Sequence, residues 1–124
     1  MNIPNFHDGH FDGFRIGPNE KPHLFLRTPD GESFTLAFQG VDALTLSEIK
    51  QGNIIFDLVF RSGEELTSAD IEELFDVKVD APNTSTLLKT KRDMGLQVLE
   101  LNASYGARGL VLFQTIEVRP TTPA

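Results

Sequence analysis

"PHLFLRTPDGESFTLAFQG" (22–40) decides the fold class. Two alternating runs flank Pro29-Asp30-Gly31. Proline presets φ at the first turn position, and Asp-Gly tolerates the positive φ that a reversal needs. Leu24 and Leu26 share one face of the first flank; Phe34, Leu36 and Phe38 share one face of the second. A period of two puts apolar side chains on one side of an extended chain. The stretch predicts a β-hairpin with one apolar face.

Moving outward, "NIIFDLVF" (53–60) reads as a further strand. Strict alternation puts Ile54, Phe56, Leu58 and Phe60 on one face, and Asn53, Ile55, Asp57 and Val59 on the other. Asp57 is the odd member. A lone carboxylate on a dry face is costly, so that face is wet or supplies a partner, with Arg27 the candidate. In "GVDALTLSEIKQG" (40–52), Val41, Leu44, Leu46 and Ile49 fit a short strand followed by a helical turn.

"LTSADIEELFDV" (66–77) predicts a helix. Thr67 or Ser68 can cap it, acids crowd its first turn, and Ile71, Leu74 and Phe75 make one stripe. "KVDAPNTSTLLKTKRDMG" (78–95) reads as a connecting excursion broken at Pro82-Asn83, with a short strand at 86–88. "LQVLELNASYGARGLVLFQTIEV" (96–118) reads as a second, longer hairpin around Tyr105–Gly109. The whole predicts a mainly β protein, with α+β as the variant. Its form is an antiparallel sandwich or partly open barrel with one short helix near 68–75. Residues 1–119 make a single domain and 120–124 a frayed tail.

Composition narrows the chemistry. The chain has 124 residues, ten Phe, no Trp and no Cys. Disulfides, Cys-bearing zinc sites and thiol nucleophiles are therefore excluded. The start carries no basic and apolar leader pattern, and no run suits a membrane helix, so the expectation is cytoplasmic, with no membrane partner. A formal net charge of −7 repels phosphate backbones, which argues against nucleic acid. The cluster Lys89, Lys91 and Arg92 is too small to reverse that and reads as a solvated loop.

Two constellations remain. In "NFHDGHFDGF" (5–14), His7 and His10 interleave with Asp8 and Asp12. A turn centred on Asp8-Gly9 would bring His7 and His10 to its two ends, with Asp12 beside them. Two imidazoles and a carboxylate suit a divalent metal, with His23 as an extra ligand. The competing reading is structural: Asp-Gly recurs at 30–31 as turn chemistry, so the segment is two reversals anchored by phenylalanines. The second constellation is acidic. Glu64, Glu65, Asp70, Glu72, Glu73 and Asp76, with Asp80, face one base, Lys78, and suit docking of a basic protein.

No serine-hydrolase elbow, P-loop or dinucleotide-binding glycine pattern occurs, so nothing marks an enzyme. Phe6-His7-Asp8-Gly9, with the strand pattern through Phe60, resembles small uncharacterised bacterial β-rich proteins, some of them like toxin-immunity proteins. That resemblance implies a compact, acidic, non-enzymatic protein that binds another. Three functions follow: a non-catalytic protein-interaction domain with no cofactor; a metal-binding protein or metal-dependent enzyme using His7, His10 and Asp12; and a β-barrel with a Phe-lined cavity for a small ligand. Exposed sheet edges also allow a homodimer.

Overall fold

The 22–40 hairpin forms as its residues dictate. β2 (His23–Arg27) and β3 (Ser33–Gln39) pair antiparallel, with Leu24 opposite Leu36 and Leu26 opposite Phe34. The turn closes through Gly31 N–H donating to Thr28 O, 2.9 Å. The computed structural model describes residues 3–17, 21–78 and 83–121. Around the hairpin lie β1 (His10–Arg15), β4 (Ala43–Ser47), β5 (Asn53–Ser62), β6 (Gln97–Tyr105), β7 (Arg108–Phe113) and β8 (Thr115–Pro120). All eight strands form one antiparallel sheet in the order β4-β7-β6-β5-β1-β2-β3-β8.

This sheet folds back on itself without closing into a barrel. β3 runs into β4, and β7 into β8, so the outermost strands continue strands at the opposite end. The β3–β8 ladder ends at Gln39 opposite Thr115, and the β4–β7 ladder resumes at Ala43 opposite Leu112. Gly40, Val41 and Asp42 thus oppose only Phe113 and Gln114, a bulge that turns the ribbon through a corner. Gln114 N–H donates to Gln39 O (3.1 Å) and Asp42 N–H to Leu112 O (2.8 Å), carrying the pairing round. Gly40 sits at φ +63°, and a Cβ there would strike the Gln114 side chain. The expected long hairpin at 96–118 therefore exists only as far as Phe113; beyond it the strand crosses to pair with β3.

The main core fills the fold between the halves of the sheet. Leu24, Leu26, Leu36, Phe38, Leu99, Leu101, Val111 and Phe113 are all buried, with Phe38 and Phe113 edge-on at 5.0 Å. Each such Phe contributes about 1.5–3 kcal/mol by leaving water. Asn53, 4% exposed, ties three segments together. Its amide oxygen accepts from Lys50 N–H (2.7 Å) and Ala107 N–H (2.9 Å), and its nitrogen donates to Lys50 O and Phe11 O. Every polar atom of this buried side chain is satisfied, as burial requires.

Helix α1 (Ser68–Phe75) lies where expected, with Thr67 and Asp70 forming a capping box. A second helix, α2 (Thr84–Arg92), replaces the short strand expected at 86–88. Thr84, Thr86 and Thr90 favour extended backbone, but packing overrides them. Leu88 joins Leu74 and Phe75 over Leu66, Leu96, Val98, Leu110 and Leu112, a second core on the outer face of β6 and β7. Arg92 donates to Leu66 O (2.9 and 2.6 Å), and Lys91 pairs with Asp42 (2.8 Å). The basic cluster is thus mostly fastened to the protein rather than a solvated loop. Pro82 lies outside the described residues. β8 runs through Pro120, and Thr121 N–H donates to Ser33 O (2.9 Å), so order reaches past the expected start of the tail; 122–124 lie outside the described residues. Among the described residues no helix is long and apolar enough to cross a membrane.

Candidate interaction surface

The HDG segment does make a turn, one residue earlier than its glycine suggests. Gly9 N–H donates to Phe6 O (2.7 Å), so His7 and Asp8 are the central pair. Asp8 takes the left-handed conformation, φ +64°, which aspartate tolerates. Gly9 is required for space: a Cβ there would run into the Arg27 carbonyl oxygen. Asp8 N–H donates to Ile55 O and Ile55 N–H to Gly9 O, both 2.9 Å, so the turn is sewn to β5.

This geometry separates the three metal candidates. His7, exposed, shares a 2.6 Å hydrogen bond between Nδ1 and Phe56 O and stands edge-on to the Phe56 ring at 5.5 Å. His10 is already the first residue of β1, opposite Arg27 and Ile54. Asp12 occupies a bulge between Phe11 and Gly13, and its Oδ2 accepts from Arg27 Nε at 2.6 Å. His7 and His10 are not the ends of one turn, and Asp12 serves Arg27. Among the described residues, no three His, Asp or Glu side chains gather as a metal-holding group. His23 lies on β2, stacked on Phe25.

β5 departs most from its sequence pattern. The register slips twice, between Ile54 and Ile55 and between Ile55 and Asp57. Ile55 is fully buried, Leu58 and Phe60 pack on the same core, and Phe56 between them is 52% exposed. The bulge at Phe56 flips the phase, so both Phe56 and Asp57 face outward. Asp57 accepts from Asn102 Nδ2 (2.8 Å) rather than meeting Arg27. On the same outer face Arg27, His10, Ile54 and Tyr105 oppose one another across β2, β1, β5 and β6. Tyr105 is also 52% exposed, with Lys50 Nζ 5.7 Å from its ring centre. An apolar and aromatic strip of Ile54, Phe56 and Tyr105, bordered by His7 and His10, therefore lies open. Strict alternation put Phe56 on one face with Leu58 and Phe60 and so missed the strip; Asp57, polar amid an apolar run, was the available sign of a phase break.

The acidic segment divides into structural and free members. Asp70 receives the Arg61 guanidinium in two bonds (2.9 and 3.0 Å) and the Thr67 N–H (2.8 Å). Burial pushes its carboxyl up, but Arg61 and Thr67 outweigh this and hold it below the usual carboxylate range. Glu73 pairs with Arg108 at 3.0 Å. Glu64, Glu65, Glu72 and Asp76 are exposed; Asp80 lies outside the described residues. A groove of about 270 Å³ runs beside His7 between the N-terminal segment and β5, lined by Ile3, Phe6, Asp57, Leu58 and Phe60. No protein-family model, curated protein or solved structure matches the chain.

Proposed function

We propose that the protein is a non-catalytic interaction domain that binds a basic partner protein through the outer face of β1, β5 and β6. The observation carrying this reading is the outward turn of Phe56 at the β5 bulge, next to Ile54 and Tyr105. Aromatic side chains are enriched in protein interfaces, and a clustered exposed apolar strip is a common mark of one. The free acids Glu64, Glu65, Glu72 and Asp76, on a chain of formal charge −7, would draw a basic partner inward and speed encounter. Filling of the interior by core side chains favours this over a ligand-holding barrel. The dispersal of His7, His10 and Asp12 favours it over a divalent-metal site. The resemblance to immunity-like proteins implies the same class of function.

Affinity capture from an extract of the source cells tests the reading. At low salt the wild-type chain should retain a partner that the folded double variant Phe56→Ser/Tyr105→Ser does not. Failure to retain any partner, or equal retention by the variant, would overturn the proposal.

A further inference from the structure

The outer face of β2, β3 and β8 carries a second feature, on strands other than β5 and β6. A cavity of about 310 Å³ opens over Ala37. The register explains its shape. His23, Ala37 and Glu117 oppose one another across the three strands, and Phe25, Thr35 and Arg119 form the next row. A methyl group thus sits between larger side chains, and the shortfall in length is the cavity. Gln39 and Thr115 close one end, joined by a 3.2 Å bond in which the Thr115 hydroxyl donates to Gln39 Oε1. Lys21, Ile116 and Arg119 also line it.

The charge of this lining runs against the rest of the molecule. Among the described lining residues two cations, Lys21 and Arg119, face one acid, Glu117, on a chain whose formal charge is −7. Arg119 Nη1 lies 3.3 Å from Glu117 Oε2. A guanidinium has five N–H donors in a planar fork, so one such contact leaves others to offer. We infer that this cavity is a binding site for a small organic carboxylate, held by Arg119 and Lys21 with its apolar part over Ala37. A carboxylate with an apolar body can bury that body over Ala37, a gain that inorganic phosphate lacks. The amide of Gln39 provides a neutral polar edge of the kind that orients a ligand in such a pocket.

Titration of the full-length protein with benzoate, followed through backbone amide resonances, tests the site. Benzoate should give saturable shifts centred on His23, Ala37 and Glu117, with a dissociation constant on the order of 1 mM. Benzamide, the neutral isostere, and inorganic phosphate should each bind at least about tenfold more weakly. The double variant Lys21→Gln/Arg119→Gln should weaken benzoate by about tenfold or more while the spectrum elsewhere is unchanged. Ala37→Leu, which fills the floor and keeps both cations, should block it as well. Absence of saturable shifts, equal binding of benzamide or phosphate, or unchanged binding by the charge variant would overturn the assignment. Because none of these residues lies on the Phe56–Tyr105 strip, partner capture and carboxylate binding fail independently.

Discussion

The outer face of the sheet has two ends that are treated differently. On β6, Val98 near the start is fully buried beneath the helical layer, while Tyr105 at the end is half exposed. Leu110 and Leu112 on β7 share the fate of Val98; Ile54 and Phe56 on β5 lie with Tyr105 on the open end. Both ends carry apolar side chains, so composition does not separate them. The difference is the 63–96 excursion, which among the described residues returns two helices over one end and none over the other. An apolar face covered by its own chain is core; left open, it offers area to another molecule.

Substitutions at the two ends should therefore behave oppositely. Leu112→Ala removes a fully buried side chain from the second core, beneath the helical layer, and should cost about 4 kcal/mol in urea unfolding. A loss under about 1 kcal/mol would mean that the helical layer does not depend on that contact. Asp70→Ala strips Arg61 of its bidentate partner and α1 of its capping box, and should cost about 3 kcal/mol near neutral pH. The sign of its pH dependence follows from the lowered Asp70 carboxyl. The stabilisation is complete above the ordinary carboxyl value, about 4, and is lost as pH falls through the lower folded value. The gap between wild type and Asp70→Ala should thus narrow in urea titrations below about pH 4. A constant gap would place the cost in packing instead.

At the open end the expected stability change is the smallest. Phe56→Ser should alter unfolding free energy by no more than about 0.5 kcal/mol, because half of the ring is already wet. A loss near that of Leu112→Ala would show that Phe56 works as core. Replacing Glu64, Glu65 and Glu72 by glutamine, and Asp76, the left-handed cap of α1, by asparagine, should leave folding nearly unchanged and slow association with the captured partner. The slowing should be greatest at low ionic strength, where the field reaches furthest, and is read from association rates at two salt concentrations.

Much of this architecture was legible in residues 22–40, because a Pro-Asp-Gly turn and strict alternation are local signals. The α1 helix was legible for the same reason: its cap and its stripe lie within a dozen residues. The second helix was not. Its sequence, rich in threonine with only Leu87 and Leu88 apolar, has weak local preference, and contacts to Leu66 and Asp42 decide its state. Nor was the corner at Gly40 and Gln114, where one strand serves both ends of the sheet; a bend of this kind is a tertiary event. The candidate strip was hidden by the assumption of unbroken alternation through 53–60. A bulge shifts that phase by one residue, and one residue is the difference between a core phenylalanine and an exposed one. His7, His10 and Asp12 stood out by composition, yet their spacing carried no information on which residues would centre the turn.

Hydrogen exchange on the complex with the captured partner measures the central claim directly, since it reports which backbone segments become protected. Protection should rise in the segments 53–57 and 102–106, with the helical layer over β6 and β7 unchanged. Protection confined to α1 and α2, with 53–57 exchanging as in the free protein, would contradict the account.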